Sequence, residues 1–252
     1  MIKGLYSAAS GMLAIEARQD VVANNIANAA TPGYKRQELV QLGFYDIFSD
    51  KMRNAQYFNM QPAPAGGVKQ VETFPDVAQG MLQDTGQPLQ LGLMGPGFFV
   101  VDTPAGERYT RSGDFSIDVE GHLATLDGFK IQSTSGQPID VRGGTPVIGN
   151  NGNVLVNGIL AGEIRTVEFA EPARLTREGS NLYSASEAVL EQRAEAADTT
   201  IQQGQIERSN VNVTQEMTKM MLGLRAYEAN QRVIQAVDTT IGRLIDQVAV
   251  SQ

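Results

Sequence analysis

The chain contains no cysteine, which excludes disulfides, iron–sulfur clusters and thiol chemistry. It holds a single histidine, so a catalytic base of that type has only one place to be. No run of 18 apolar residues occurs, so no transmembrane helix or membrane insertion is expected. Residues 1–13 lack the apolar core and cleavage site of a secretory signal, so any export is expected to proceed without a cleaved signal peptide. Basic residues are in deficit: the formal charge is −8. With no cationic stripe to neutralise phosphates, a nucleic-acid partner is not expected. What remains is a 252-residue chain, 42% hydrophobic, long enough to bury a core and too apolar to be disordered throughout.

The charge is unevenly placed. Residues 1–36 carry +2 and residues 212–252 are neutral, so the middle carries −10. Both ends also share a pattern. Val213, Met217, Met220, Leu224, Tyr227, Gln231, Ile234, Asp238, Ile241, Ile245 and Val248 alternate steps of four and three, a heptad repeat broken in character only at Gln231 and Asp238. Leu5, Ala8, Met12, Ile15, Gln19, Val22, Ile26 and Ala29 repeat the alternation at the start. Each helix therefore carries a narrow seam that another helix must cover, and the middle of the chain loops out between them.

The first helix is expected over about residues 2–29, weakened by Gly11 and by Asn24, Asn25 and Asn28. Thr31-Pro32-Gly33 ends it, and Tyr34-Lys35-Arg36 forms a basic exit. Residues 37–90 read as an extended connector with short strands: an apolar cluster from Leu39 to Phe48, a Pro/Ala/Gly stretch at 61–67, and one strand over 68–74. Residues 91–207 read as a compact all-β domain followed by a return linker. Five X-Gly dipeptides (Glu120-Gly121, Asp127-Gly128, Ser135-Gly136, Asn151-Gly152, Asn157-Gly158) separate short apolar runs, among them Phe98–Val101. Asn212 with Gln215 is expected to cap the last helix, and Glu228 with Arg232 to pair on its surface. The expected class is α+β. A terminal helical domain (1–36 plus 208–252) pairs as a coiled coil, with the connector (37–90) and the β domain (91–207) inserted.

Candidate chemistry is sparse. His122, beside Gly121, has no nucleophile or orienting carboxylate nominated by the sequence and reads as a surface turn residue. Asp114, Asp118 and Glu120 lack the spacing of a calcium loop and read as a solvated strand face. The glycine-rich stretch 92–97 lacks the Lys-Ser/Thr of a phosphate loop. No catalytic, cofactor or metal residues are nominated. The seam residues are instead the candidates for function. Most apolar stripes close a monomer's core. These lie at the chain ends, outside a β-rich middle that has its own apolar run, which favours assembly; a head-to-tail contact would give a helical polymer.

Three stretches also carry a family resemblance. Ala23-Asn-Asn-Ile-Ala-Asn28 with Thr31-Pro-Gly-Tyr-Lys-Arg36 resembles the N-terminal motif of the flagellar rod, hook and hook-associated axial proteins. Gly95-Pro-Gly-Phe-Phe-Val100 with Tyr109-Thr-Arg-Ser-Gly-Asp-Phe115 and Glu120-Gly-His-Leu123 resembles the β-domain motif of rod and hook members. Ser209-Asn-Val-Asn-Val213, Glu216-Met217 and Arg225-Ala-Tyr-Glu228 resemble their C-terminal motif. The match is closest to basal-body rod proteins of the proximal- and distal-rod type: the long connector looks distal, the opening Met1–Met12 as much proximal.

The resemblance implies a structural subunit exported by the flagellar type III apparatus, located in the periplasm-spanning rod, and associating with itself and neighbouring rod and hook proteins. It implies terminal helices lining a hollow drive shaft, a connector wedged between subunits and an outer β layer. The motif residues it singles out are Asn24, Asn25, Asn28, Gly33, Tyr34, Gly97, Phe98, Phe99, Arg111, Gly113, Phe115, Ser209, Asn210, Val211, Arg225, Tyr227 and Glu228. Two other readings stand beside it: a secreted β-domain binding module or adhesin with an intramolecular helix hairpin, and an enzyme using β-domain carboxylates. The sequence leaves open whether each seam meets its own partner helix or a neighbour's.

Overall fold

A computed structural model describes residues 2–43, 68–196 and 198–250. Phe44, Tyr45, Ile47, Phe48 and the stretch 61–67 lie outside them. The protein is α+β: long helices at the two ends, and many short strands between. The chain divides into two compact units. One comprises residues 1–26, 37–73 and 212–252; the other comprises residues 27–36 and 74–211. The segment 27–36, expected with the helices, thus packs in the β-rich unit, because its turn and basic residues find their partners there.

In the first unit, α1 spans Ile2–Ala27 and α3 spans Val213–Val250. (The short α2, Glu187–Leu190, belongs to the other unit.) The Asn212 side chain accepts a hydrogen bond from Gln215 N (3.2 Å), and the Asn212 carbonyl accepts one from Glu216 N (3.0 Å), so Asn212 is the N-cap the sequence indicates. Among the described residues, Glu228 and Arg232 do not form the expected pair; the ion pair on this helix is Lys219–Glu216, at 2.5 Å. β1 (Gln37–Gly43) pairs with β2 (Val68–Pro75).

The second unit is built on β5 (Phe98–Thr103), flanked by β6 (Gly106–Thr110), β9 (Lys130–Ile131) and β13 (Thr166–Phe169). Its unbroken apolar run is the mark of a strand buried on both faces. Phe99 and Val101 enter one core with Phe115, Leu123, Ile139 and Val154. Phe98 and Val100 enter the other, with Tyr109, Val167, Phe169 and Tyr183. Alternation along a strand sends neighbours to opposite faces, so this one strand divides the two cores. Edge-on aromatic pairs fill both: Phe99–Phe115 at 5.0 Å in the first, Tyr109–Phe169 at 4.8 Å in the second.

The expected turns occur where the X-Gly dipeptides stand. Asn157 (φ 52°) and Gly158 (φ 83°) both take positive φ and join β11 (Asn153–Val156) to β12 (Ile159–Glu163). Two positive-φ residues in a two-residue loop match the twist of a tight hairpin. The expected return linker, in contrast, is largely strand. β16 (Arg193–Glu195) pairs with β13, β17 (Thr200–Gln203) with β4 (Leu91–Met94), and β18 (Gln205–Glu207) with β3 (Leu82–Asp84). Its Ala/Gln composition hid short strands whose Ile201 and Ile206 are buried.

Candidate functional site

Three stretches far apart in sequence meet inside the β-rich unit. Lys35 Nζ lies 2.6 Å from Glu207 Oε1, and Arg111 Nη1 lies 3.5 Å from Glu207 Oε2. All three side chains are almost wholly buried. One carboxylate thus faces two cations out of water, an arrangement that holds only if polar partners surround it. Gly80 N donates to Glu207 Oε1 (2.7 Å), Lys35 Nζ donates to the Ala78 carbonyl (2.9 Å), and Gly33 N donates to the Glu207 carbonyl (2.7 Å). Burial pushes the Lys35 ammonium and the Arg111 guanidinium to lower pKa, against the pull of the Glu207 carboxylate. The Arg111 guanidinium also stands 4.9 Å from the centre of the Phe98 ring.

Several of the motif residues expected from sequence lie in the same unit as this triad. Tyr34 is buried beneath the guanidinium of Arg177, 4.4 Å from its ring centre. Asn210 accepts from Arg36 N (2.7 Å) and donates to the Asp76 and Ala78 carbonyls (2.8 and 3.1 Å), and Ser209 accepts from Val211 N (3.3 Å). Gly97 N donates to Thr199 Oγ1 (2.9 Å). Gly113 is obligatory for a steric reason: a Cβ there would overlap the Leu91 carbonyl oxygen. Gly33, at φ 67°, lies so close to Arg111 that a Cβ would come within 2.5 Å of the Arg111 carbonyl. Arg225, Tyr227 and Glu228, on α3, are exposed and belong to the other unit. Asn24 is exposed on α1, and Asn28 is half-buried and accepts from Thr31 N at 3.1 Å.

Sequence reasoning placed Lys35 only in a basic exit and passed over Glu207. No local pattern marks Glu207: it sits in a Gln-rich stretch like its neighbours, and only the pairing of β18 with β3 brings it under Lys35.

The helical unit has its own polar centre. Asn25 Oδ1 accepts from Gln37 N (2.9 Å), while its Nδ2 lies within hydrogen-bonding reach of the Gln37 carbonyl (2.9 Å) and Glu216 Oε2 (3.3 Å). Both Asn25 and Glu216 are about 1% exposed, so this bond ties α1 to α3 in the interior of the pair.

The expected seam residues fall into two sets. On α1, Ala8 and Val22 are buried, and Leu5, Met12, Ile15 and Ile26 are half-buried. On the described part of α3, the residues that are not exposed are Glu216, Met220, Gly223, Asn230, Ile234, Val237 and Ile241. Of the heptad positions, Met220, Ile234 and Ile241 are half-buried. Val213, Met217, Leu224 and Tyr227 are open, with Met217 51% and Leu224 49% exposed. The covered stripe is rolled toward Glu216, Gly223 and Asn230, where a missing side chain and two polar partners let α1 approach. The side chains of Ile245 and Val248 lie outside the described residues.

His122 is not a plain surface residue. Its Nδ1 lies 3.6 Å from both Asp118 and Glu120, whose carboxylates also bind the Lys130 ammonium. Asp118 and Glu120 are thus drawn together rather than spread along a solvated strand face, because Asp118 Oδ1 accepts from His122 N (2.8 Å) and closes the turn. That bond, with the nearby Lys130 ammonium, holds the Asp118 carboxyl below its usual range.

Residues 5–35 match the model of the flagella basal body rod protein, residues 92–156 the D1 domain of the flagellar hook protein FlgE/F/G, and residues 202–247 the C-terminal region of flagellar basal body rod FlgEFG proteins. Each matched segment supplies one member of the buried triad: Lys35, Arg111 and Glu207. The chain is 34% identical to the flagellar hook-basal body complex protein FlhO of Bacillus subtilis, over 98% of this chain and 99% of that one. It is 30% identical to the flagellar basal-body rod protein FlgG of the same organism, over 98% and 99%. It is 34% identical to the flagellar basal-body rod protein FlgF of Mesorhizobium japonicum, over 90% of each. The chain belongs to the flagellar basal-body rod protein family.

Proposed function

We infer that the protein is a structural subunit of the bacterial flagellar basal-body rod, associating there with other rod and hook proteins. The observation that carries this is the near full-length likeness to proteins of that name, together with an α3 surface left half uncovered within its own chain. Val213, Met217, Leu224 and Tyr227 form an apolar row beside the stripe that α1 covers. Covering one such large side chain is worth roughly 1.5–3 kcal/mol. A row of four gives neighbouring subunits a substantial reason to pack there. In this reading the terminal helices form the inner coiled-coil domain of a hollow shaft and drive its self-assembly, the connector at 37–90 lies between subunits, and the β-rich unit forms the outer layer. The subunit reaches the rod through the flagellar type III export apparatus. The names of the relatives favour this structural role over a secreted adhesin, and over an enzyme using the carboxylates near His122.

Hydrogen exchange on dilute protein, and again after concentration into assemblies, tests the proposal. Exchange along the row from Val213 to Tyr227 should slow on assembly. Equal protection in a dilute monomer and at high concentration would point instead to a self-contained binding module.

A further inference from the structure

A heptad seam has a built-in ambiguity. Sliding one helix past the other by seven residues, about 10.5 Å at 1.5 Å per residue, brings apolar positions back opposite apolar positions. Something other than the stripe must choose the register, and three contacts between α1 and α3 are candidates. A Cβ on Gly11 would meet Asn230 Nδ2 at 3.2 Å, a Cβ on Gly223 would meet Gln19 Nε2 at 3.1 Å, and Asn25 Nδ2 donates to Glu216 Oε2 at 3.3 Å. The order runs in opposite directions on the two helices, so the pair is antiparallel. Gly11 to Asn25 and Glu216 to Asn230 are each two heptads. At two of the three levels, a long amide on one helix lies over a glycine on the other, once in each sense.

We propose that these three contacts form the register key of the terminal helix pair, with Gln19, Asn25, Glu216 and Asn230 as its specifying residues. Sliding one heptad in one direction sets Gly223 against Gly11, leaving a gap, and carries the buried Glu216 carboxylate from Asn25 to the neighbourhood of Gln19. Sliding the other way crowds Asn230 against Gln19, each of which has lost its glycine. Only the observed register places both amides over glycines and joins Glu216 to Asn25. A polar residue in a helix seam is known to fix register at some cost in stability, and Gln19 Nε2, enclosed without an acceptor among the described residues, carries such a cost. The key holds whether or not the pair goes on to assemble. Its consequence for assembly is positional: it sets where along the shared axis the open row from Val213 to Tyr227 is presented.

The absence of cysteine allows a direct test on the full-length chain, diluted so that only intramolecular disulfides form. The observed register sets Ala8 opposite Ile234, and a one-heptad slip would set it opposite Tyr227 or Ile241. The double variant Ala8→Cys/Ile234→Cys should therefore oxidise rapidly, and Ala8→Cys/Tyr227→Cys and Ala8→Cys/Ile241→Cys at least tenfold more slowly. With Gln19→Leu, Glu216→Leu and Asn230→Leu added, so that all three contacts are lost, helicity by circular dichroism should persist while the slipped pairs come within about threefold of the first. Slipped pairs that oxidise as fast as the first in the native background would overturn the proposal. So would a leucine variant that remains helical and keeps the tenfold preference. If the leucine variant loses its helicity, Gly11→Ala/Glu216→Ala/Gly223→Ala, which fills both recesses and removes the buried carboxylate, each with a helix-favouring residue, takes its place under the same criterion. Failure of assembly at high concentration with the tenfold preference intact would count against the proposed function alone.

Discussion

Replacing Glu207 by Gln changes almost no volume and removes one charge. In the native protein that carboxylate faces Lys35 at 2.6 Å and Arg111 at 3.5 Å, all three groups being almost wholly buried. The Glu207→Gln variant keeps an acceptor for Gly80 N but leaves two buried cations with no counter-charge. Removing one partner of a buried ion pair typically costs about 3–5 kcal/mol, because the desolvated charge left behind is uncompensated. For a domain of this size each kcal/mol lowers Tm by about 2–4 °C, so the melting point of the β-rich unit should fall by roughly 6–20 °C. The pH dependence has a definite sign. Lys35 is held below its ordinary pKa, so between its folded and unfolded values the unfolded chain binds the extra proton and stability rises with pH. Losing Glu207 lowers the folded value further and widens that window downward. The deficit of the variant should therefore shrink as pH rises toward the ordinary lysine value. The assay is thermal unfolding followed by near-ultraviolet circular dichroism, which reports the buried tyrosines. A fall of less than about 2 °C, or a deficit that grows with pH, would refute the reasoning. The triple replacement Lys35→Met/Arg111→Met/Glu207→Leu, which removes every charge together, should recover most of the loss.

Burial pushes the Tyr183 hydroxyl up to about 12; since the folded state then holds its proton longer than the unfolded one, stability is complete below about pH 10 and lost between about pH 10 and 12. That loss is about 2–3 kcal/mol, and urea titrations of Tyr183→Phe across this range should show it removed. Gly113→Ala should leave little folded β-rich unit, as its methyl group would overlap the Leu91 carbonyl oxygen; protease resistance equal to the native chain would contradict this. Asn210→Ala should cost about 1–3 kcal/mol, since it removes a hydrogen-bond partner of Arg36 N and of the Asp76 carbonyl, while the Ala78 carbonyl keeps Lys35 Nζ. Denaturant unfolding measures it, with an unchanged midpoint as the contrary result.

The sequence by itself determined the elements whose cause is local. The heptads at the two ends mark α1 and α3, Asn212 marks a cap, the Asn157-Gly158 pair marks a turn, and Phe98–Val101 marks a short apolar run in a β-rich stretch. Each depends on a residue and its near neighbours, through periodicity or a single dihedral, so each is written in order along the chain. The family motifs were legible too, but as strings without reasons. Tertiary structure supplied the reasons: Gly113 is glycine because Leu91 lies against it, and Lys35, Arg111 and Glu207 form one unit only after three distant segments pair. The same holds for which half of the α3 stripe is covered. A heptad fixes the spacing of a seam but not its roll about the helix axis. That was decided by Gly223 and Asn230 meeting Gln19 and Gly11, contacts between residues some two hundred positions apart, whose energies exist only once the two ends of the chain are side by side.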